Sequence, residues 1–495
     1  MNLIHDLFDE VAQRCPTAVA VDDGIRPLTY AELVEDSVGW AARLSEFGVA
    51  QGDRVLILGA HRAASVSALV ATSRLGAVFV LLNEELPSPL LRHVIRDAQP
   101  SAVLHVGDRP PEFDHLPGGH LDDEVAAKSG DAREWAARTA AAPEADDLVS
   151  LIYTSGSTSM PKAVMSSHRQ IRFAAEAIQA RLRYRPGDIV YCALPLSFDY
   201  GLYQAFLCAL AGSTLQLRAM GGTGLHLLKD LRSLDATVLP AVPSLAKMLV
   251  LLMARRGDVP GRLRLVTNTG AALPQHVADA LRSKIDGLDV VTMFGLTECK
   301  RVSVSSPNAD IRFPGSAGNA LPGTTISVVD DSGREVRPGE IGELVVSGPH
   351  VMGGYWNAPQ LTRERFGVDK QGRRTLRTGD LCRLDDEGNL YFEGRKDDIY
   401  KQSGFRVSGS EIEAAAMSVP GVRDAAVALP SGDGDAAALL LCTDKGLTPE
   451  TVLKRLRQLV ERQKLPGRVL VVDYLPLTFN GKVDRSGIAA LARSS

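Results

Sequence analysis

The run Leu151-Ile152-Tyr153-Thr154-Ser155-Gly156-Ser157-Thr158-Ser159-Met160-Pro161-Lys162 decides how the chain is read. An apolar, strand-like stretch from Leu148 to Tyr153 drops into hydroxyl residues and glycine, closed by a proline and a lysine. Small hydroxylated residues let backbone N–H and side-chain O–H groups converge on one point. Lys162 adds a positive charge, and the whole has the composition of a phosphate cradle. It differs from the P-loop of many nucleotide-hydrolysing proteins, in which G-x-x-x-x-G-K-[ST] opens a helix. Here the lysine follows a proline, and Ala163 follows the lysine. An ordinary Ser/Thr-rich surface loop has the same composition, so the reading turns on what the rest of the chain carries.

Length and composition bound the answer. A chain of 495 residues with 45% hydrophobic and 23% charged residues is a globular protein of more than one domain. A net charge of −4 gives no global field toward nucleic acid or a membrane surface, and neither is expected as a partner. Six scattered cysteines, without a C-x-x-C pair or His/Cys ligand spacing, read as reduced thiols rather than a metal site. The N-terminus lacks a basic, cleavable leader, and no apolar run reaches membrane-spanning length, so a cytoplasmic location is expected.

In chain order, Thr29-Tyr30-Ala31-Glu32 is a capping-box pattern, followed by Leu33, Trp40, Ala41, Leu44 and Phe47 at helical spacing and Gly48 as a stop. Short apolar runs at 55–58 and 77–82 alternate with helical stretches, the pattern of parallel β/α units. Residues 118–143, rich in Ala, Asp and Gly, read as a surface excursion before the hydroxyl loop. Further strand-then-loop transitions fall at 263–274 and 290–298, and a helix spans 171–182. From about residue 315 short alternating segments with Gly, Pro and Asp turns predict a β-rich subdomain. The charged run Gly394-Arg395-Lys396-Asp397-Asp398 separates this from a small α+β tail with helices at 409–418 and 449–463. The expected architecture is α/β: a large N-terminal domain, residues 1–395, built of β/α layers with a β-rich subdomain, and a small mobile C-terminal domain, residues 396–495.

Three strands, ending before 154–162, 268–273 and 294–298, open into polar, glycine-bearing loops, and such ends of a parallel sheet lie on one ligand-binding edge. Beyond them come Thr378-Gly379-Asp380, Gly394-Arg395-Lys396-Asp397, Lys401-Gln402-Ser403-Gly404-Phe405-Arg406-Val407 and Asn480-Gly481-Lys482-Val483-Asp484-Arg485. In this order the motifs resemble the adenylate-forming superfamily: acyl-CoA synthetases, adenylation domains of non-ribosomal peptide synthetases, and luciferases. The resemblance covers nearly the whole chain.

Such enzymes make a carboxylate attack the α-phosphate of ATP, giving an acyl-adenylate and pyrophosphate; a thiol then displaces AMP. Catalysis of the first step is positioning plus cationic stabilisation. The resemblance implies that Thr154, Ser155, Gly156, Ser157, Thr158 and Lys162 hold the β- and γ-phosphates. It places Thr297 at the α-phosphate and Glu298 on Mg²⁺, a hard cation suited to carboxylate oxygen. Phe294 falls where a tyrosine commonly stacks on adenine, with Gly270, Ala271 and Ala272 along the other side of the base. Asp380 takes the ribose hydroxyls with help from Arg395, and Lys482 reaches the substrate carboxylate and α-phosphate. The tail swings about Asp397 between an adenylating and a thioester-forming pose; Lys401 and Gly404 face the site in the second. Read alone, Asp380 caps a turn, Glu298 is a helix N-terminal acid and Lys482 is a solvated lysine. Ser159 and Ala163 stand where glycines are usual, which marks them as places for backbone strain.

Phe198, Asp199, Asn268, Gly295 and Lys300 are the candidates for the acid pocket. In adenylation domains that load amino acids, an Asp in the place of Asp199 pairs with the substrate ammonium; the alternative is an Asp capping the turn at Tyr200-Gly201. An amino acid is favoured over an aryl or aliphatic acid. Lys300-Arg301 either clamp a second carboxylate, as in enzymes loading β-amino acids and aspartate, or face solvent or the phosphates, and the latter is preferred. No carrier domain follows Ser495 in this sequence, so the thiol is expected on a separate carrier protein, as phosphopantetheine, or on coenzyme A. A ligase with a non-thiol acceptor and a non-catalytic nucleotide-binding paralogue are the remaining alternatives.

Overall fold

The computed structural model describes residues 3–59, 61–83, 86–107, 109–121, 143–154, 160–218, 223–402, 405–430, 437–444, 447–477 and 483–494. The chain divides into two compact units: Met1–Arg312 with Ala320–Thr325 and Val346–Leu376, and Phe313–Asn319 with Ile326–Val345 and Arg377–Ser495.

The first unit is built on two sheets. Strands that are apolar and buried along almost their whole length, such as Arg54–Leu58 and Val78–Leu82, pair in parallel, as strands covered on both faces commonly do. The helix Ala63–Arg74 joins them. Leu148–Thr154 extends this sheet in parallel with Val78–Leu82. It then turns back as an antiparallel hairpin into Lys162–Ser167, whose other edge takes Gly354–Tyr355. The second sheet aligns Thr214–Leu217, Ile189–Cys192, Val238–Ala241, Leu265–Asn268 and Asp289–Phe294 in parallel and continues into antiparallel Ser303–Val304.

The three strand ends expected on one edge therefore come from two sheets. Leu265–Asn268 and Asp289–Phe294 are neighbours, with Asn268 opposite Thr292, whereas the hydroxyl loop belongs to the other sheet. Similar apolar strand texture conceals which sheet a strand joins, because pairing is a long-range choice. The capping box forms as read: the Glu32 amide donates to Thr29 Oγ1 at 3.2 Å and the Thr29 amide donates to the Glu32 carboxylate at 2.8 Å. The supposed surface excursion opens instead as a strand, Gly118–His120, parallel to Ala102–His105; residues 122–142 lie outside the described residues.

The second unit contains antiparallel pairing between Arg374–Leu384 and Leu390–Arg395, with Asp380 opposite Arg395. Its tail is a three-stranded sheet of Val422–Ala428, Ala438–Thr443 and Arg468–Val471. Side chains of the middle strand alternate: Leu439 and Leu441 join Ile412, Val452 and Leu456 on one face, while Leu440 and Cys442 join Ile488 and Ala492 on the other. The second face needs a helix, Arg485–Ser494, that the sequence reading did not include, and the expected helix 449–463 stops at Leu456. All six cysteines are free thiols. No helix among the described residues is long and apolar enough to cross a membrane.

Candidate active site

The strands on either side of the hydroxyl stretch, Leu148–Thr154 and Lys162–Ser167, pair antiparallel. Thr154 pairs with Lys162, and Thr154 Oγ1 donates to the Lys162 carbonyl at 3.3 Å. Ser155, Gly156, Ser157, Thr158 and Ser159 lie outside the described residues. Ala163 is buried in the strand opposite Tyr153 and has no positive φ, so the strain expected at this position does not arise.

At the end of Asp289–Phe294 the chain makes a tight return: the Val302 amide donates to the Phe294 carbonyl at 2.8 Å. A Cβ on Gly295 would stand 2.0 Å from the Lys300 carbonyl oxygen, so the turn admits only glycine there. Phe294, Thr297 and Glu298 are partly exposed along this turn, next to exposed Gly270, Ala271 and Ala272, which follow the neighbouring strand. Glu298 is held from a distant segment: Tyr355 Oη donates to its Oε1 at 2.6 Å, and the Met352 amide donates to its carbonyl at 2.9 Å. Its Oε2 has no hydrogen-bond partner among the described residues. No cluster of three or more His, Cys, Asp or Glu forms a metal cage among the described residues. A single oriented carboxylate suits Mg²⁺ shared with substrate phosphates, since Mg²⁺ is commonly held by one or two carboxylates plus phosphate oxygens.

Phe198 and Asp199, candidates for the acid pocket, stand at the start of helix Asp199–Ala211, which is buried nearly all round. A Cβ on Gly201 would meet the Pro195 carbonyl oxygen at 2.3 Å, so glycine lets the helix begin against the preceding loop. The N-cap, Phe198, makes no side-chain cap bond, and Asp199 instead faces Arg301, with Nη1 3.8 Å from Oδ2. The guanidinium lies 4.8 Å from the Tyr200 ring centroid, and Nη1 donates to the Lys300 carbonyl at 2.8 Å. Lys300, with φ of +62°, turns its side chain wholly inward. Its Nζ has no hydrogen-bond partner among the described residues and lies 5.9 Å from the Tyr203 ring centroid. Burial lowers the Lys300 ammonium to about 8, with the attraction of Asp199 and Glu298 acting the other way. Of the preferred reading, solvent or a phosphate-side role, the solvent part is overturned at Lys300 and Arg301: both are buried, near Asp199. Asn268 is buried too, its Nδ2 donating to the Ala241 carbonyl at 3.2 Å.

On the second unit, buried Asp380 pairs with Arg395, Nε lying 3.5 Å from Oδ1. Thr378 Oγ1 accepts from the Asp380 amide at 3.1 Å and donates to the Leu344 carbonyl at 2.9 Å. Asp397 lies in the helical turn Lys396–Asp398 and Lys401 in strand Ile399–Gln402. Gly404 and Lys482 lie outside the described residues. Tyr355 and Tyr203 were missed in the sequence, Tyr203 although it stands one helical turn after Asp199.

A family model described as AMP-binding enzyme matches residues 8–356, and one described as AMP-binding enzyme C-terminal domain matches residues 411–482. The chain is similar to the AMB antimetabolite synthetase AmbB of Pseudomonas aeruginosa, 32% identical over 98% of this chain and 39% of AmbB. It thus spans about two fifths of that relative's length. It is also 32% identical to a 4-hydroxybenzoate--CoA/benzoate--CoA ligase of Rhodopseudomonas palustris, over 98% of this chain and 93% of that one. Among solved structures, VinN in complex with L-aspartate is 40% identical, covering 79% of this chain and 98% of VinN with a TM-score of 0.69.

Proposed function

The chain belongs to the AMP-binding enzymes, and on that premise we propose that it activates an amino acid bearing a second carboxylate. The proposal includes transfer of the aminoacyl group to the phosphopantetheine thiol of a separate carrier protein. The reaction class itself follows from the family: ATP and a carboxylic acid give an acyl-adenylate and pyrophosphate.

One observation carries the choice of acid. Two buried cations, Lys300 and Arg301, stand beside one buried carboxylate, Asp199, and Lys300 Nζ has no hydrogen-bond partner among the described residues. A buried charge without a counter-charge is costly. A substrate that sets an ammonium against Asp199 and a carboxylate against Lys300 and Arg301 gives every one of these charges an opposite charge beside it. An amino acid with an apolar side chain leaves the lysine unmatched. The resemblance to VinN, whose complex holds L-aspartate, supports the same class.

In this reading the substrate's reacting carboxylate attacks the α-phosphorus, and the bond to the pyrophosphate leaving group breaks. Thr154, Ser155, Gly156, Ser157, Thr158 and Lys162 hold the departing phosphates, and Thr297 and Lys482 stabilise charge at the α-phosphate. Mg²⁺, when bound, neutralises phosphate charge; Glu298, oriented by Tyr355, would hold it. Phe294 and residues Gly270, Ala271 and Ala272 flank the adenine, and Asp380 with Arg395 takes the ribose. Asn268 and Gly295 shape the acid end beside Phe198. Residues 396–495 then swing about Asp397, bringing Lys401 and Gly404 to the thiol step. The thiol sulfur attacks the acyl carbon, its proton is lost, and AMP leaves.

A second reading, coenzyme A ligation of an aryl acid, is favoured by the likeness to the benzoate ligase over 93% of its length. ATP–pyrophosphate exchange across aspartate-like, neutral amino, aryl and aliphatic acids separates the two. Stimulation by acidic amino acids supports the first reading; stimulation by aryl acids alone rules out its choice of acid and favours the second, whose acceptor is then checked by thioester formation with coenzyme A.

A further inference from the structure

We propose that the helix Ser88–Ala98 is a positioning element that sets Lys162 and Glu298 against each other, acting through His93 and Asp97. The inference rests on reading Lys162 as a phosphate clamp and Glu298 as the carboxylate for Mg²⁺.

His93 and Asp97 stand four residues apart, on one face of the helix. His93 Nε2 donates to the Pro161 carbonyl at 2.9 Å; a carbonyl only accepts, so this nitrogen carries the proton. Pro161 has a restricted φ and immediately precedes Lys162, so the bond fixes the direction from which the lysine leaves the strand. Asp97 takes the other foot of the hairpin: Tyr153, the residue before Thr154, donates from Oη to Oδ2 at 2.7 Å. Both feet of the cradle are therefore gripped by one turn of helix.

The same turn reaches the segment that orients Glu298. The last carbonyls of a helix have no partner within it. Here the Asp97 carbonyl accepts from Trp356 Nε1 at 3.0 Å and from Asn357 Nδ2 at 3.0 Å. The Trp356 amide donates to the Ala163 carbonyl at 2.9 Å, and Tyr355, one residue earlier, pairs with Val164 and holds Glu298. Hydrogen bonds to the residues on either side of Lys162, together with the adjoining backbone at Tyr355-Trp356, thus connect the lysine, the helix end and Glu298. Leu91, Val94 and Ala98 bury the helix in the adjacent core, so its docking does not depend on His93 or Asp97.

The test compares His93→Ala, His93→Gln, Asp97→Ala, Tyr153→Phe and the Asp97→Ala/Tyr153→Phe double variant in pyrophosphate exchange. Asp97→Ala, Tyr153→Phe and His93→Ala should each raise KM for MgATP roughly three- to tenfold, the worth of one hydrogen bond. KM for the acid and Tm should stay near wild type. His93→Gln, which keeps a donor, should recover most of the effect, and the double variant should fall short of the product of its singles. Equal rises in both KM values, losses that track Tm, or a fully multiplicative double variant overturn the inference. Lys162→Ala serves as the control. If it leaves KM for MgATP unchanged, the underlying phosphate reading fails; if it raises KM while the helix variants do not, only the positioning role fails.

Discussion

Arg301 meets Asp199 inside the protein, Nη1 to Oδ2 at 3.8 Å, with each side chain only 5% exposed. The separation is beyond hydrogen-bond length, so the pair leaves the Asp199 carboxylate able to take a further, closer donor. A substrate ammonium is such a donor. Asp199→Asn keeps the shape and removes the charge. It should cut pyrophosphate exchange with the preferred amino acid by about 10²-fold, from ~3 kcal/mol for a lost charged hydrogen bond. The desamino analogue should be affected far less. Equal losses with both acids would show that Asp199 supports the pocket without pairing to nitrogen.

Lys300 makes a second, opposite prediction for stability. The ordinary lysine value of 10.5 falls to about 8 in the folded protein, driven first by burial. Below pH 8 the folded state holds a buried charge that the unfolded chain carries in water, so the group destabilises the fold there. Between about 8 and 10.5 the unfolded chain binds more protons, and the penalty fades as pH rises. Lys300→Met should therefore stabilise the substrate-free protein at pH 7 by roughly 1 kcal/mol or more. That gain should shrink toward pH 10, as urea melts at the two pH values will register. The same variant should lose its preference for an acidic over a neutral amino acid, and the wild-type KM for the acidic one should climb above pH 8. A variant that is less stable at pH 7 and still selective would rule out this role.

Tyr355 is the residue through which a distant strand controls Glu298. Tyr355→Phe keeps the ring beside Phe366, whose centroid lies 5.5 Å away, and removes the hydroxyl that donates the 2.6 Å hydrogen bond to Glu298. Half-saturating Mg²⁺ should rise and kcat/KM for MgATP should fall about five- to tenfold, from ~1 kcal/mol for one hydrogen bond. Tm should change little. Magnesium titrations of wild type and variant check this, and coincident curves would mean that the phenol does not orient the carboxylate.

Local features were legible in the sequence because they are settled within a few residues. Thr29 and Glu32 cap a helix by touching each other, and the apolar run 148–153 is a strand because its side chains suit one. The motif order was legible as well, through its resemblance to a family. What failed depends on distant partners. The strands that lead into the hydroxyl stretch and into the 294–298 turn share a texture but belong to different sheets, a choice made by pairing. Lys300 and Arg301 read as surface residues because charged side chains seldom lie inside; only Asp199, a hundred positions earlier, makes their burial intelligible. Tyr355 carries no mark of its own until Glu298 is seen beside it. The helix Arg485–Ser494 is short and contains Gly487, so its few apolar residues looked unremarkable without the sheet face they cover.

The thioester step gives the last prediction, and it divides the reaction in two. If Lys482 serves only the first pose, Lys482→Ala should slow adenylation by about 10²–10³-fold, from ~3–4 kcal/mol for a transition-state donor. Transfer from a supplied aminoacyl-adenylate to a phosphopantetheine thiol should be spared. If Gly404 leaves room for the pantetheine arm in the second pose, Gly404→Leu should do the reverse and block thioester formation while pyrophosphate exchange continues. Single-turnover measurements of adenylate formation and of thioester formation resolve the two steps for each variant. Reciprocal defects require that one tail domain present two different faces to the same substrate. If both variants lose both steps in proportion, Lys482 and Gly404 act in a single arrangement, and a swing about Asp397 is not needed to explain the chemistry.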